Sequence, residues 1–173
     1  MDAESTNQAE PGPSWLDPEE RQAWRALYAL LLRLPSALDG QLRADAGITH
    51  FEYAVLAALS EASGRSMTMS DLALLAGGSL PRLSQVVSRL EKRGWVSRSP
   101  DPADGRCTLA ILTDAGWDKI VATAPGHVET VRRLVFDPLT KAQPRQLRDI
   151  GRRIVGAIDG PATAQRNDDR SQP

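Results

Sequence analysis

Pro81, Arg82, Ser84, Gln85, Ser88 and Lys92 fall on one side of a helical run that starts at Ser79, while Leu83, Val86, Val87 and Leu90 recur on the other. One face packs and the other is free to bind. Short or planar hydrogen-bonding side chains near the N-terminus of an exposed helix have the chemistry to read base edges in the major groove of duplex DNA. Gln85 can make a two-point contact to adenine, and Arg82 can reach a guanine or a phosphate. Lys92, Arg93 and Arg98 suit phosphates, which give affinity without sequence information. Farther on, Asp104 and Arg106 lie in a run of turn residues, and an arginine at a hairpin tip can enter a narrow minor groove, where negative potential is concentrated. The competing readings are a merely solvated polar face and a turn carrying an ordinary surface ion pair.

Such side chains work only if a particular set of elements holds them. Ser79 can cap the helix, and Pro81 is tolerated in a first turn where its missing N–H has no helical partner. Gly94 supplies a left-handed stop. Trp95, Val96 and Arg98 then suit a strand, Asp101 to Arg106 is turn chemistry, and Cys107 to Leu112 returns as a second strand. A helix followed by such a hairpin is a winged helix.

In this order and at this spacing, Leu90 to Gly94 (LEKRG), Trp95-Val96, Asp101 to Arg106 (DPADGR) and Leu112 to Gly116 (LTDAG) resemble the signature of the MarR (multiple antibiotic resistance regulator) family of transcription factors. The similarity runs from about Leu27 to Ile158. It implies that Arg106 enters the minor groove while Asp104 holds its guanidinium. It further implies a homodimer interlocked through the first helix and the last two. Many family members carry Arg where this chain has Gln85, so the preferred base stays open. Members often bind small aromatic or phenolic effectors near the junction of dimer helices and reading head, which here points to Trp24, Tyr28, His50 and Tyr53.

With 173 residues the chain can bury a core without a metal or disulfide. Its formal charge of -1 and pI near 6.1 argue mildly against a nucleic-acid partner, but the distribution reverses that argument. Residues 1–20 carry Asp2, Glu4, Glu10, Asp17, Glu19 and Glu20 without a Lys or Arg, whereas residues 79–106 carry six basic residues against Glu91, Asp101 and Asp104. A single cysteine excludes an intramolecular disulfide, and no His/Cys grouping has ligand spacing, so neither metal nor cofactor is expected. His50 and His127 receive no metal or catalytic role. Cys107 begins a wing strand, away from the first helix where the resemblance would put a sensor thiol, and reads as packed or idle. No signal peptide or membrane-length apolar run is visible, so a cytoplasmic location without a membrane partner is expected.

The expected fold is mainly α with a small β-wing: a winged helix-turn-helix domain flanked by long dimerisation helices. Residues 1–16 read as a disordered acidic tail and residues 17–46 as a dimerisation helix. That helix is capped by Asp17, striped by Trp24, Leu27, Tyr28, Leu31, Leu34, Leu38 and Leu42, and kinked at Pro35. The DNA-binding domain spans residues 47–113. Within it Thr49 and Glu52 form a capping box for a helix burying Phe51 or Tyr53 with Val55, Leu56 and Leu59, Met67-Thr68 can add an edge strand, and Ser70 to Ala76 is a short helix. Residues 114–160 hold two more dimerisation helices, the first interrupted at Pro125-Gly126 and ended by Pro138, the second stopping at Gly160-Pro161. Residues 161–173 form a polar tail. The flanking apolar stripes exceed what one winged helix can cover, which is a physical reason to expect a homodimer on a pseudo-palindromic operator.

Together these residues predict a sequence-specific double-stranded DNA-binding repressor of the MarR type, released by a small-molecule effector. A winged-helix subunit that meets protein instead of DNA is the alternative. An enzyme is not supported, because no nucleophile with a base, metal cluster or phosphate-cradling loop is present; Gly77-Gly78 lacks the lysine and spacing of the last.

Overall fold

The computed structural model describes residues 14–168, with side chains as far as residue 160. The expected tail over residues 1–16 and the end of the one over residues 161–173 lie largely outside the described residues. Helix α1 spans Pro18–Ala46, α2 His50–Glu61, α3 Met69–Leu75, α4 Leu80–Lys92, α5 Asp114–Val131 and α6 Gln143–Asp168. Strands β1 (Ser66–Thr68), β2 (Val96–Pro100) and β3 (Thr108–Leu112) form one antiparallel sheet in the order β1-β3-β2. The expected edge strand is β1, which pairs Met67 with Ala110, while Arg98 pairs with Ala110 from the other side. The wing is therefore a hairpin anchored at its base by a third strand.

The chain divides into two units, one ending at Ala37 and the other beginning at Leu38. The first contains the N-terminal part of α1, where the Asp17 carboxylate accepts the backbone N–H groups of Glu19 and Glu20 at 2.7 and 2.8 Å. This is the cap that the sequence calls for at an otherwise unsatisfied helix end. The helical run continues unbroken through Pro35.

In the second unit the core gathers Leu42, Ile48, Val55, Leu56, Leu59, Leu72, Leu83, Val86, Val87, Leu90, Val96, Ala110, Leu112 and Ile120. Leu and Val side chains buried this fully contribute about 1.5–3 kcal/mol each. Leu83, Val86, Val87 and Leu90 of α4 are all buried, while Leu80 at its start is exposed, which fixes the rotation of that helix and leaves its polar side outward. Phe51 and Tyr53 are both half-buried, whereas Glu52 between them is buried to 3% exposure. A carboxylate tolerates that position because it accepts the Thr49 N–H at 2.8 Å, the Thr49 hydroxyl at 3.1 Å and an ion pair from Arg89 at 3.5 Å.

Two expectations about helix breaks change. α5 runs through Pro125 without interruption. Proline removes one hydrogen bond from a helix, and here the residue whose carbonyl loses its donor, Val121, is exposed, while α5 is pinned to the core by Ile120. The irregularity comes later, as a π-helical turn at Arg132–Phe136, where the Asp137 N–H reaches back to the Arg132 carbonyl at 2.8 Å. α6 does break at Gly160 but resumes to Asp168, so residues 161–168 are helical instead of tail.

Candidate nucleic-acid interface

Recognition geometry begins at the turn before α4. The Ser79 hydroxyl accepts the Arg82 N–H at 3.5 Å, and Pro81 occupies the first turn. With Leu83 and Val87 pulling one side inward, Arg82 and Gln85 are exposed and Ser84 and Ser88 half-buried. The Arg82 guanidinium lies 4.3 Å above the Phe51 ring, which holds a long side chain by cation–π attraction near the helix N-terminus. Arg82, Gln85 and Arg89 follow one another at helical spacing along the exposed side.

The wing tip is built by its own carboxylates. Asp101 accepts the Ala103 N–H at 2.9 Å, and the Cys107 N–H donates to the Asp104 carbonyl at 2.8 Å. The Asp104 carboxylate accepts the Arg106 backbone N–H at 3.0 Å, an Asx-type turn, instead of the Arg106 guanidinium expected from the family resemblance. Arg106 is exposed at the tip. A cleft of about 310 Å³ opens where α4, the start of α3 and the wing meet, with Leu80 and Ser84 on α4, Thr68 to Ser70 at the β1–α3 junction, and Arg98, Arg106, Cys107 and Thr108 on the wing.

The remaining basic candidates separate. Lys92 is exposed. Arg93 donates to the Gly47 carbonyl at 3.3 Å and lies 5.0 Å from the Trp95 ring. The Arg98 guanidinium is engaged within the unit, donating to Glu91 and Ser88 on α4. Arg89, not among the candidates singled out by residue pattern, lines a second cleft of about 520 Å³ with Arg43 and Arg93. Its position four residues after Gln85 was the available signal.

A sequence profile described as MarR family matches residues 46–106, which is the stretch from the end of α1 through the wing tip. Sco3205, a MarR family transcriptional regulator from Streptomyces coelicolor solved in complex with DNA, is 44% identical. It superposes with a TM-score of 0.79 over 83% of this chain and 90% of that one. The chain belongs to the MarR family of transcriptional regulators. Among other relatives of this MarR chain, the uncharacterized HTH-type transcriptional regulator YdcH of Bacillus subtilis is 33% identical over 60% of this chain and 71% of its own length. The transcriptional repressor MprA of Escherichia coli is 26% identical over 65% of this chain, and the match spans 64% of MprA. In this chain of a DNA-binding transcriptional regulator family, α3 and α4 make the helix-turn-helix and β2–β3 the wing.

The residues considered for an effector fall in both units of this MarR chain. In the first, the Trp24 and Tyr28 rings lie 5.9 Å apart. In the second, Tyr53 and His50 meet His127, to which the sequence gives no role: its ring centroid is 4.2 Å from that of Tyr53 and 6.1 Å from that of His50, and its Nδ1 is 3.3 Å from Gln41 Oε1. Burial and the neighbouring His50 hold the His127 pKa below the ordinary histidine value, and burial together with the Glu61 charge pushes the Tyr53 phenol up. The Arg43 guanidinium and the His50 N–H keep the Asp39 carboxyl below its usual range. Among the described residues no group of three or more His, Cys, Asp or Glu side chains could hold a metal ion.

Proposed function

We propose that this chain is a homodimeric, sequence-specific repressor that covers a pseudo-palindromic operator and releases it when a small aromatic or phenolic molecule binds. The observation carrying the reading is the pairing of two exposed side chains on one compact unit: Gln85 on the outward side of α4 and Arg106 at the wing tip. A helix places short polar side chains against base edges in the major groove, and an arginine on a hairpin suits the adjacent minor groove. Ser79, Pro81, Arg82, Ser84, Ser88, Lys92, Arg93, Arg98 and Asp104 complete or support that surface. The likeness to MprA favours repression over activation.

Homodimerisation is supported by apolar side chains exposed in the single chain: Trp24, Tyr28 and Leu31 on α1, and Leu147, Ile150, Ile154 and Ile158 on α6. Action in the cytoplasm, where operator DNA is met, fits the finding that no helix among the described residues is long and apolar enough to cross a membrane. An effector releases DNA only by preferring the unbound conformation, and a tenfold loss of operator affinity needs about 1.4 kcal/mol of such preference.

The deciding experiment selects bound duplexes from a random pool with the purified 173-residue chain. Inverted half-sites about one helical turn apart, roughly 34–36 Å between centres, are the expected result. No enrichment over bulk duplex at moderate salt would instead favour a winged-helix subunit that meets protein.

A further inference from the structure

The wing and the recognition helix can read two grooves of one duplex only if the distance between them is fixed, and packing fixes it at one end. There, β2 leaves α4 through the Gly94 turn, the Trp95 N–H donates to the Leu90 carbonyl at 3.0 Å, and Leu90 and Val96 are buried together. Toward the tip the two elements part around the cleft of about 310 Å³, whose remaining wall is Thr68 to Ser70 at the β1–α3 junction. Arg98 spans them at the start of that gap. From the middle of β2 its Nε donates to Glu91 Oε2 at 2.9 Å, and its Nη2 donates to the same oxygen at 2.5 Å and to the Ser88 hydroxyl at 3.1 Å. The Arg98 and Glu91 side chains are only 34% and 29% exposed, so solvent screens the pair less than it would a free surface pair.

We propose that Arg98, Glu91 and Ser88 form a strut that sets the spacing between α4 and the wing, which makes Arg98 a positioning residue for operator binding. The proposal rests on the DNA-reading function above. A guanidinium offers a planar, directed set of donors, so fixing it at two side chains on successive turns of α4 restricts both the distance and the tilt of β2. Ser88 and Glu91 lie three and six residues beyond Gln85 on the same helix, and β2 leads directly into the loop that carries Arg106. Loss of the strut therefore leaves each reader intact while loosening their relation, and preorganisation of the pair is what the operator would otherwise have to supply.

The charge of Glu91 makes this testable, because the two accounts predict opposite signs. If charge alone matters, removing a carboxylate beside a polyanion tightens binding, and removing Arg98 lowers the salt slope by one cation per subunit. As a strut, Glu91→Ala weakens operator binding on the order of tenfold with the salt slope preserved, and Arg98→Lys, which keeps the charge but loses the fork, does the same. Combining Glu91→Ala with Arg98→Lys should cost little more than either alone, since the interaction is broken once.

Variants of the 173-residue chain would be checked for folding by thermal unfolding, then measured against the selected operator across salt concentrations. In parallel, backbone amide relaxation of residues 97–109 would be recorded without DNA. The expected result is lower order parameters across the wing in both single variants while α2 and α4 stay rigid. Tighter or unchanged operator binding by Glu91→Ala, or unchanged wing order parameters, would overturn the strut. Failure of the wild-type chain to prefer any duplex would instead remove the DNA-reading function, and the relaxation measurement would still decide whether Arg98 holds the wing.

Discussion

Gln85 and Arg106 are both exposed and polar, yet their substitutions should fail in different ways because they face different chemistry. A two-point contact from Gln85 to one base is worth about 1–3 kcal/mol of discrimination, so Gln85→Ala should flatten preference at one position per half-site. Arg106→Ala should weaken binding to all operators, reduce the salt slope and relax A·T preference outside the major-groove positions. Asp104→Ala should follow it more weakly, because the carboxylate acts on the Arg106 backbone N–H and its loss loosens the turn without removing the charge. Affinity measured across salt and across single-base-pair operator changes separates the three, and an unchanged slope for Arg106→Ala would mean that the wing does not touch DNA. His127 gives a pH prediction. Its folded pKa lies below the ordinary value of 6.5, so the unfolded chain takes up the proton first as pH falls. Stability is therefore retained above the unfolded pKa and declines as pH drops from there toward the folded one. His127→Gln should flatten Tm between about pH 7.5 and 5.5 relative to the parent.

Element junctions carry the tightest constraints. Gly94 turns the chain at φ +73°, and the Thr113 hydroxyl donates to its carbonyl at 2.7 Å while accepting the Gly116 N–H at 3.0 Å. The start of α5 is thereby fastened to the end of α4. A side-chain carbon on Gly116 would overlap the Trp95 carbonyl oxygen and come within 2.7 Å of Leu112 Cδ1. Gly116→Ala should consequently cost about 1–3 kcal/mol of stability, read by denaturant unfolding, since backbone on the far side cannot yield as a flexible side chain would. Thr49→Ala should cost about 1 kcal/mol through the lost cap, with some addition because it leaves buried Glu52 with fewer donors.

Across the whole chain, apolar surface is distributed in a way that favours a second copy. Trp24, Leu31, Ile150, Val155 and Ile158 are each at least half exposed or nearly so when the chain is alone, and leaving such side chains in water forfeits stabilisation that a partner would recover. A truncation ending near Pro138 should therefore lose dimerisation by light scattering while retaining the winged helix by circular dichroism. A truncated chain that remains dimeric would place the interface elsewhere. If dimerisation goes, operator affinity should fall steeply, because two half-sites would then be bound independently.

The pattern of apolar and polar residues by itself determined much of this protein. Leu83, Val86, Val87 and Leu90 at helical spacing set the orientation of α4, Thr49 with Glu52 and the single residues Asp17, Ser79 and Thr113 set helix starts, and Gly94 set the sharp stop; these are local interactions within a few residues, so local sequence suffices to read them. What depended on tertiary structure was every relation between distant segments. Pro125 reads as a break until the packing of α5 holds the helix through it, and Arg98 reads as a free cation until the fold carries Glu91 and Ser88 to it. His50 and His127 are 77 positions apart in sequence, yet their rings come within 6.1 Å because α2 and α5 pack together. Charge and aromatic pairing act over a few ångströms whatever the sequence separation, so their partners were fixed only when the core closed.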